Sequence, residues 1–314
     1  MTITGIVLMT YGSPRDLDDV GAYITRVRGG RTPDATLLAE FQRRYSVIGM
    51  SPLIDITLRQ AAGLEDVLGT EFRVAAGMRF SEPSVEAAVA HVMERGAQQL
   101  LGLILSPQYS ATLMGGYDSA LASVANDLPV RTVHAWHLTP AFVDVLASRI
   151  RSALHSFPDN VRTQVPVLLT AHSLPRRVVD KEPDYVAQLH ATASAVALAA
   201  QLPSEQWTFC YQSAGHTPEE WLKPDLLDVL PELAVAGHRQ AIVAPVQFLA
   251  DHLETLYDID VAGREQALGA GFETLIRVQA PNAAPDFLHA LASVVRAELA
   301  AWHPATEQAA WVRA

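Results

Sequence analysis

The 314-residue chain predicts an α/β protein made of two sheet-bearing halves. Three observations carry this. Apolar runs rich in Val, Ile and Leu recur eight times; most are followed by a helix-like stretch; and they fall into two sets of four. Strand alternating with helix means parallel sheets, and nearly unbroken apolar strands mean sheets covered on both faces.

The first set comprises 3–11 (ITGIVLMTY), 72–80 (FRVAAGMRF), 99–107 (QLLGLILSP) and 130–136 (VRTVHAW). The second comprises 164–171 (QVPVLLTA), 206–212 (QWTFCYQ), 239–246 (RQAIVAPV) and 273–279 (ETLIRVQ). Strand starts in the second set lie 42, 33 and 34 residues apart; the first set gives 69, 27 and 31. The long first gap marks an insertion, residues 12–71. The polar stretch RSALHSFPDNVRT places a seam near 150–162, so the expected domains are 1–150, carrying the insertion, and 151–314. Stretches such as PSVEAAVAHVMERG and YVAQLHATASAVALAAQL supply the intervening helices.

Composition narrows the function. Hydrophobic residues make up 49% and charged residues 18%, an ordinary globular balance. The formal net charge of −11 argues against nucleic acid as a partner, because that needs a basic face. An anionic substrate would need a local cluster of positive charge. The single cysteine, Cys210, rules out intrachain disulfides and a cysteine-ligated iron–sulfur cluster, and reads as core filler. No apolar run reaches the length of a membrane span, and the start reads as a strand rather than a signal peptide. The expectation is a cytoplasmic monomer.

Ligands of open α/β sheets sit beyond the C-terminal ends of the strands. Strand one exits into TYGSPR, offering Tyr11. Strand five exits into AHSLPRR, offering His172, which is either a satisfied structural residue or a base and metal ligand at neutral pH. Strand seven exits into PVQFLADHLETLYDID. A helix over DHLETLYD would align Asp251, Glu254 and Asp258 at i, i+3 and i+7, with His252 on another side as a structural residue. The carboxylate row is either a solvated acidic face or a path for protons or a hydrated divalent metal. Within the insertion, Arg26, Arg28, Arg31, Arg43 and Arg44 against Asp34 and Glu40 make a local charge of +3. Such a flap suits a substrate bearing carboxylates, and Tyr45 and Ser51 add donors. In YQSAGHTPEEWLKPDL, Thr217 before Pro218 reads as a helix N-cap, and His216 as less ligand-like than His172.

With these residues assembled, the chain resembles the ferrochelatase family. VLMTYGSP, RGGRTP, RRYSVIGMSPL, TAHSLP, YQSAGHTPEEWLKPDL, PVQFLADHLETLYDID and APNAAPDFLHAL carry the resemblance. The resemblance implies two Rossmann-like, chelatase-type domains with four-stranded parallel sheets and a porphyrin cleft between them. It places the catalytic and metal-site pair on His172 and Glu254, with Asp258 continuing the metal site. Porphyrin contacts fall on Tyr11, Arg28, Arg44, Tyr45, Ser51 and Tyr117. Fe²⁺ would be a substrate, with no prosthetic group, and the porphyrin either coproporphyrin III or protoporphyrin IX; the absence of a membrane-binding lip resembles the bacterial coproporphyrin III branch. Arg79 and Phe80 stand where bacterial relatives can carry a Lys–His pair. Cobalt insertion into a corrin precursor, and a non-catalytic tetrapyrrole carrier, are the competing readings.

Overall fold

A computed structural model describes residues 2–125, 128–215 and 219–302. Thr217, Pro218 and His216 lie outside the described residues. All eight expected strands are present: β1 (Thr4–Thr10), β2 (Phe72–Met78), β3 (Gln99–Ile104), β4 (Val130–Val133), β5 (Val167–His172), β6 (Trp207–Gln212), β7 (Gln240–Pro245) and β8 (Thr274–Arg277). They form two four-stranded, all-parallel sheets of identical topology, β2-β1-β3-β4 and β6-β5-β7-β8. β1 is buried along its whole length, as its unbroken apolar sequence requires. In each sheet the chain reverses direction beside the first strand, between β1 and β3 and again between β5 and β7, and this switch point is where such sheets bind ligands.

Helix boundaries follow side-chain caps. Asp34 accepts from the Leu37 amide to start helix Ala35–Ile48, which ends at Gly49 in the left-handed region (φ +71°). Ser84 and Ser110 start Val85–Glu94 and Ala111–Val124 in the same way, and Asp225 forms a capping box with Asp228 ahead of Leu226–Val235.

Compactness divides the chain into one unit of residues 1–33, 53–141 and 282–314, and another of 34–52 and 142–281. This differs from the expected 1–150 and 151–314 in three places, the simplest being the seam, which falls at 141/142 instead of 150/151. Helix Pro285–Ala301 returns to the first unit, where it packs on helix Leu53–Leu68. Gly63 leaves room there for Leu288: a Cβ at this position would lie 2.4 Å from a Leu288 methyl. Arg131 pairs with Glu298 in the same unit. Residues 34–52 of the insertion belong to the second unit, because helix Ala35–Ile48 packs on the segment that follows β7.

That segment corrects the expected α-helix. Residues Glu254–Gly263 form a π-helix, with Asp251 and His252 preceding it. Leu253, Thr255, Tyr257 and Ile259 are buried in alternation, a pattern that 3.6 residues per turn does not produce. Asp251 lies ahead of this helix, while Glu254 and Asp258 lie within it, near enough for Glu254 to act on Asp258.

Candidate active site at the ends of β5 and β7

β5 delivers His172 to the switch point of the second sheet. The backbone amide of His172 donates to Gln247 Oε1 at 2.7 Å, tying the end of β5 to the loop after β7. Gln247 in turn donates to the Tyr185 hydroxyl. The next residue, the fully buried Ser173, is fixed by its hydroxyl to the Leu222 carbonyl at 3.0 Å and by its amide to the Gln212 carbonyl at 2.8 Å. The imidazole Nδ1 faces the Ser173 carbonyl. A carbonyl only accepts, so Nδ1 carries a proton, which leaves Nε2 as the ring nitrogen that faces the site. Nε2 lies 3.8 Å from Glu254 Oε1.

The other oxygen of Glu254 is held by His252 Nε2. His252 Nδ1 faces the Ala250 carbonyl at 2.9 Å. Both ring nitrogens thus face acceptors, which an imidazolium alone satisfies. Burial works against charge on His252, but Glu254, the Ala250 carbonyl and Asp251 raise its pKa above the ordinary value. Burial likewise opposes the charge on Glu254, and the adjacent His252 outweighs it and holds the carboxyl down to about 2. Glu254 is an ionised carboxylate with one oxygen committed to His252 and one turned toward His172 Nε2. His252, expected to be structural, is part of this arrangement; the short spacing His252-Leu-Glu254 was the available sign.

The remaining expected residues divide. Tyr45 is buried, and burial together with the Glu254 charge raises its phenol pKa. Asp258, expected as a further metal ligand, is engaged by Ser213 and by Arg44 at 3.3 Å; its burial, with Glu254 nearby, raises its pKa. Among the described residues no group of three His, Cys, Asp or Glu side chains converges as a metal site. Asp251 is instead bound by Arg277 at 2.8 Å, and Arg277 also forks onto both oxygens of Asp260 at 2.8 and 2.9 Å.

Arg43 and Arg44 of the positive cluster are paired with carboxylates. Arg44 donates to Glu40 at 2.7 Å as well as to Asp258, and Arg43 binds Glu40 and the Tyr257 hydroxyl. Both guanidiniums lie over the Tyr257 ring. Hydrogen bonds from Arg43 and Arg44 hold Glu40 down to about 2. Ser51 follows two residues of positive φ, Gly49 and Met50. In the first unit, Tyr11 is 43% exposed beyond β1 and meets Phe80 edge-on at 4.6 Å. Arg28 ends helix Val20–Val27 half-exposed. Tyr117, expected to touch porphyrin, is buried, with Arg79 over its ring at 5.4 Å. Cys210 sits in the core as expected, its thiol pushed up to about 12 by burial.

Two parallel sheets of one topology, with an imidazole–carboxylate pair at a switch point, define a chelatase-type protein. Solved structures agree on the fold: SirB from Bacillus subtilis with Fe³⁺ matches with a TM-score of 0.59 at 13% identity, covering 94% of this chain and 95% of that one. CbiX, described as the terminal enzyme of siroheme biosynthesis in denitrifying bacteria, matches with a TM-score of 0.50 at 16% identity, over 94% and 98%. The chain belongs to the ferrochelatase family, whose model, described as Ferrochelatase, matches residues 3–299. It is 36% identical to the ferrochelatase of Deinococcus radiodurans over 94% of this chain and 96% of that protein. It is 33% identical to the coproporphyrin III ferrochelatase of Bacillus subtilis, over 94% and 97%.

Proposed function

We propose that this chain is a lyase that inserts Fe²⁺ into a porphyrin, and that the porphyrin is coproporphyrin III. Family membership supports the reaction class, and relatives named for coproporphyrin III at 33–35% identity support the substrate. One observation carries the chemistry: the imidazole Nε2 of His172 and a carboxylate oxygen of Glu254 3.8 Å apart, at a strand-end switch point.

Insertion exchanges two pyrrole N–H protons for one Fe²⁺, so the site must accept protons and attract a dication. His172 Nε2 takes the two pyrrole protons in turn, releasing each to solvent, directly or by way of the Glu254 carboxylate, which also attracts the iron. The His252 imidazolium keeps Glu254 charged while substrate arrives. Tyr11 and Arg28 carry the same proposal for the face of the macrocycle and for its carboxylates. Asp258, paired with Arg44, lies close enough to Glu254 to share its field.

The test mixes the protein anaerobically with Fe²⁺ and either coproporphyrin III or protoporphyrin IX, following the absorbance bands. Faster insertion into coproporphyrin III is the expected result. Faster insertion into protoporphyrin IX would overturn the substrate assignment. Binding of both without insertion into either would leave a carrier.

A further inference from the structure

Arg79 emerges from β2 into the loop 79–84, its amide bonded to the Thr10 carbonyl at 2.9 Å, while the Phe80 amide bonds to the Tyr11 carbonyl at 3.1 Å. These bonds place it beside the exposed end of β1. Its guanidinium lies 5.0 Å from the centroid of Phe80 and 5.4 Å from that of Tyr117. Nη1 donates to the Leu113 carbonyl at 3.0 Å. The group rests on Gly116 so closely that a Cβ there would lie 2.2 Å from Nη2. Arg43, Arg44, Arg95, Arg131 and Arg277 are each bound by a carboxylate. Arg79, half-buried in a chain of net charge −11, has no acidic partner among the described residues. Two ring faces, a carbonyl and a bare helix backbone hold the cation in one place and leave its other donors to an anion from outside the chain.

We propose that Arg79, locked over Gly116 between Phe80 and Tyr117, is a specificity residue that binds a peripheral carboxylate of the tetrapyrrole. The proposal rests on the porphyrin reading above. It also assigns Tyr117 a different part: buried under Arg79, it orients the guanidinium instead of meeting the substrate.

The test measures the Kd of coproporphyrin III by its absorbance shift, and kcat at saturating porphyrin, for wild type, Arg79→Ala and Gly116→Ala. Loss of one charge-assisted contact predicts a Kd about tenfold higher in Arg79→Ala, with kcat changed less than about threefold. Gly116→Ala keeps the charge but displaces it. Alanine also suits a helix interior better than glycine, so a Kd rise there with Tm maintained points to the guanidinium's position and not to damage of the fold. The salt dependence of Kd should flatten in Arg79→Ala and persist in Arg79→Lys. Wild-type Kd in Arg79→Ala would overturn the proposal, as would an unchanged Kd with a large loss of kcat. A rise in Arg79→Ala with wild-type affinity in Gly116→Ala would overturn the placement over Gly116. Absence of porphyrin binding by the wild type would overturn the porphyrin reading itself, a distinguishable result.

Discussion

The two oxygens of Glu254 have different neighbours, and this asymmetry makes His172 and His252 unequal. Replacing His172 by Ala removes the basic lone pair and should lower kcat by about 10²–10⁴-fold while porphyrin binding persists, as absorbance titration and initial rates will show. His252→Ala removes the cation that holds the Glu254 carboxyl down to about 2. Its pKa then moves toward the ordinary carboxylate range, and the acid limb of the kcat profile should shift to higher pH. An unmoved acid limb would detach His252 from Glu254. His172 was legible because a strand end is a privileged position. The pairing of His252 with Glu254 was not legible, because α-helical geometry turns His252 away from Glu254 and the loop preceding the π-helix does not.

At the scale of elements, the π-helix Glu254–Gly263 depends on partners from two directions. Arg277, at the end of β8, grips Asp251 before the helix and Asp260 within it. Breaking this partly buried cluster in Arg277→Gln should cost about 2 kcal/mol in urea denaturation, since two carboxylates lose one cation. From the other direction, helix Ala35–Ile48 brings Arg43 and Arg44 against Tyr257 and Asp258. Strands were legible because continuous burial demands continuous apolar sequence. The π-helix was not, because its buried residues alternate like those of a strand while its backbone is helical. The insertion's arginines were legible as a cluster, but their acidic partners include Asp258, 214 residues away.

For the whole molecule, acid stability should carry the mark of Glu40. Its folded pKa of about 2 lies below the ordinary value near 4.5. The ionised form is therefore favoured by folding, and the stabilisation is complete above about pH 4.5 and fades as pH falls toward 2. Glu40 is partly exposed, so solvent screens the pairing and the effect should be small, about 0.2–1 kcal/mol. Thermal melts of Glu40→Gln between pH 7 and 2 should show a shallower loss of Tm than wild type, most clearly at low salt. The two-sheet architecture was legible from eight runs and their spacing, whereas the true composition of the units was not. Local periodicity marks a helix but does not say which sheet it joins, and Pro285–Ala301 joins the distant one through Leu288 and Glu298. That return has a consequence for synthesis. A ribosome releases the partner of Gly63 only after more than two hundred further residues have emerged. The earliest-made sheet must wait for the last helix to cover its flank, while the later-made sheet, complete by residue 281, can close first. Truncating the chain before Pro285 should leave the older part exposed to proteases and the younger part protected.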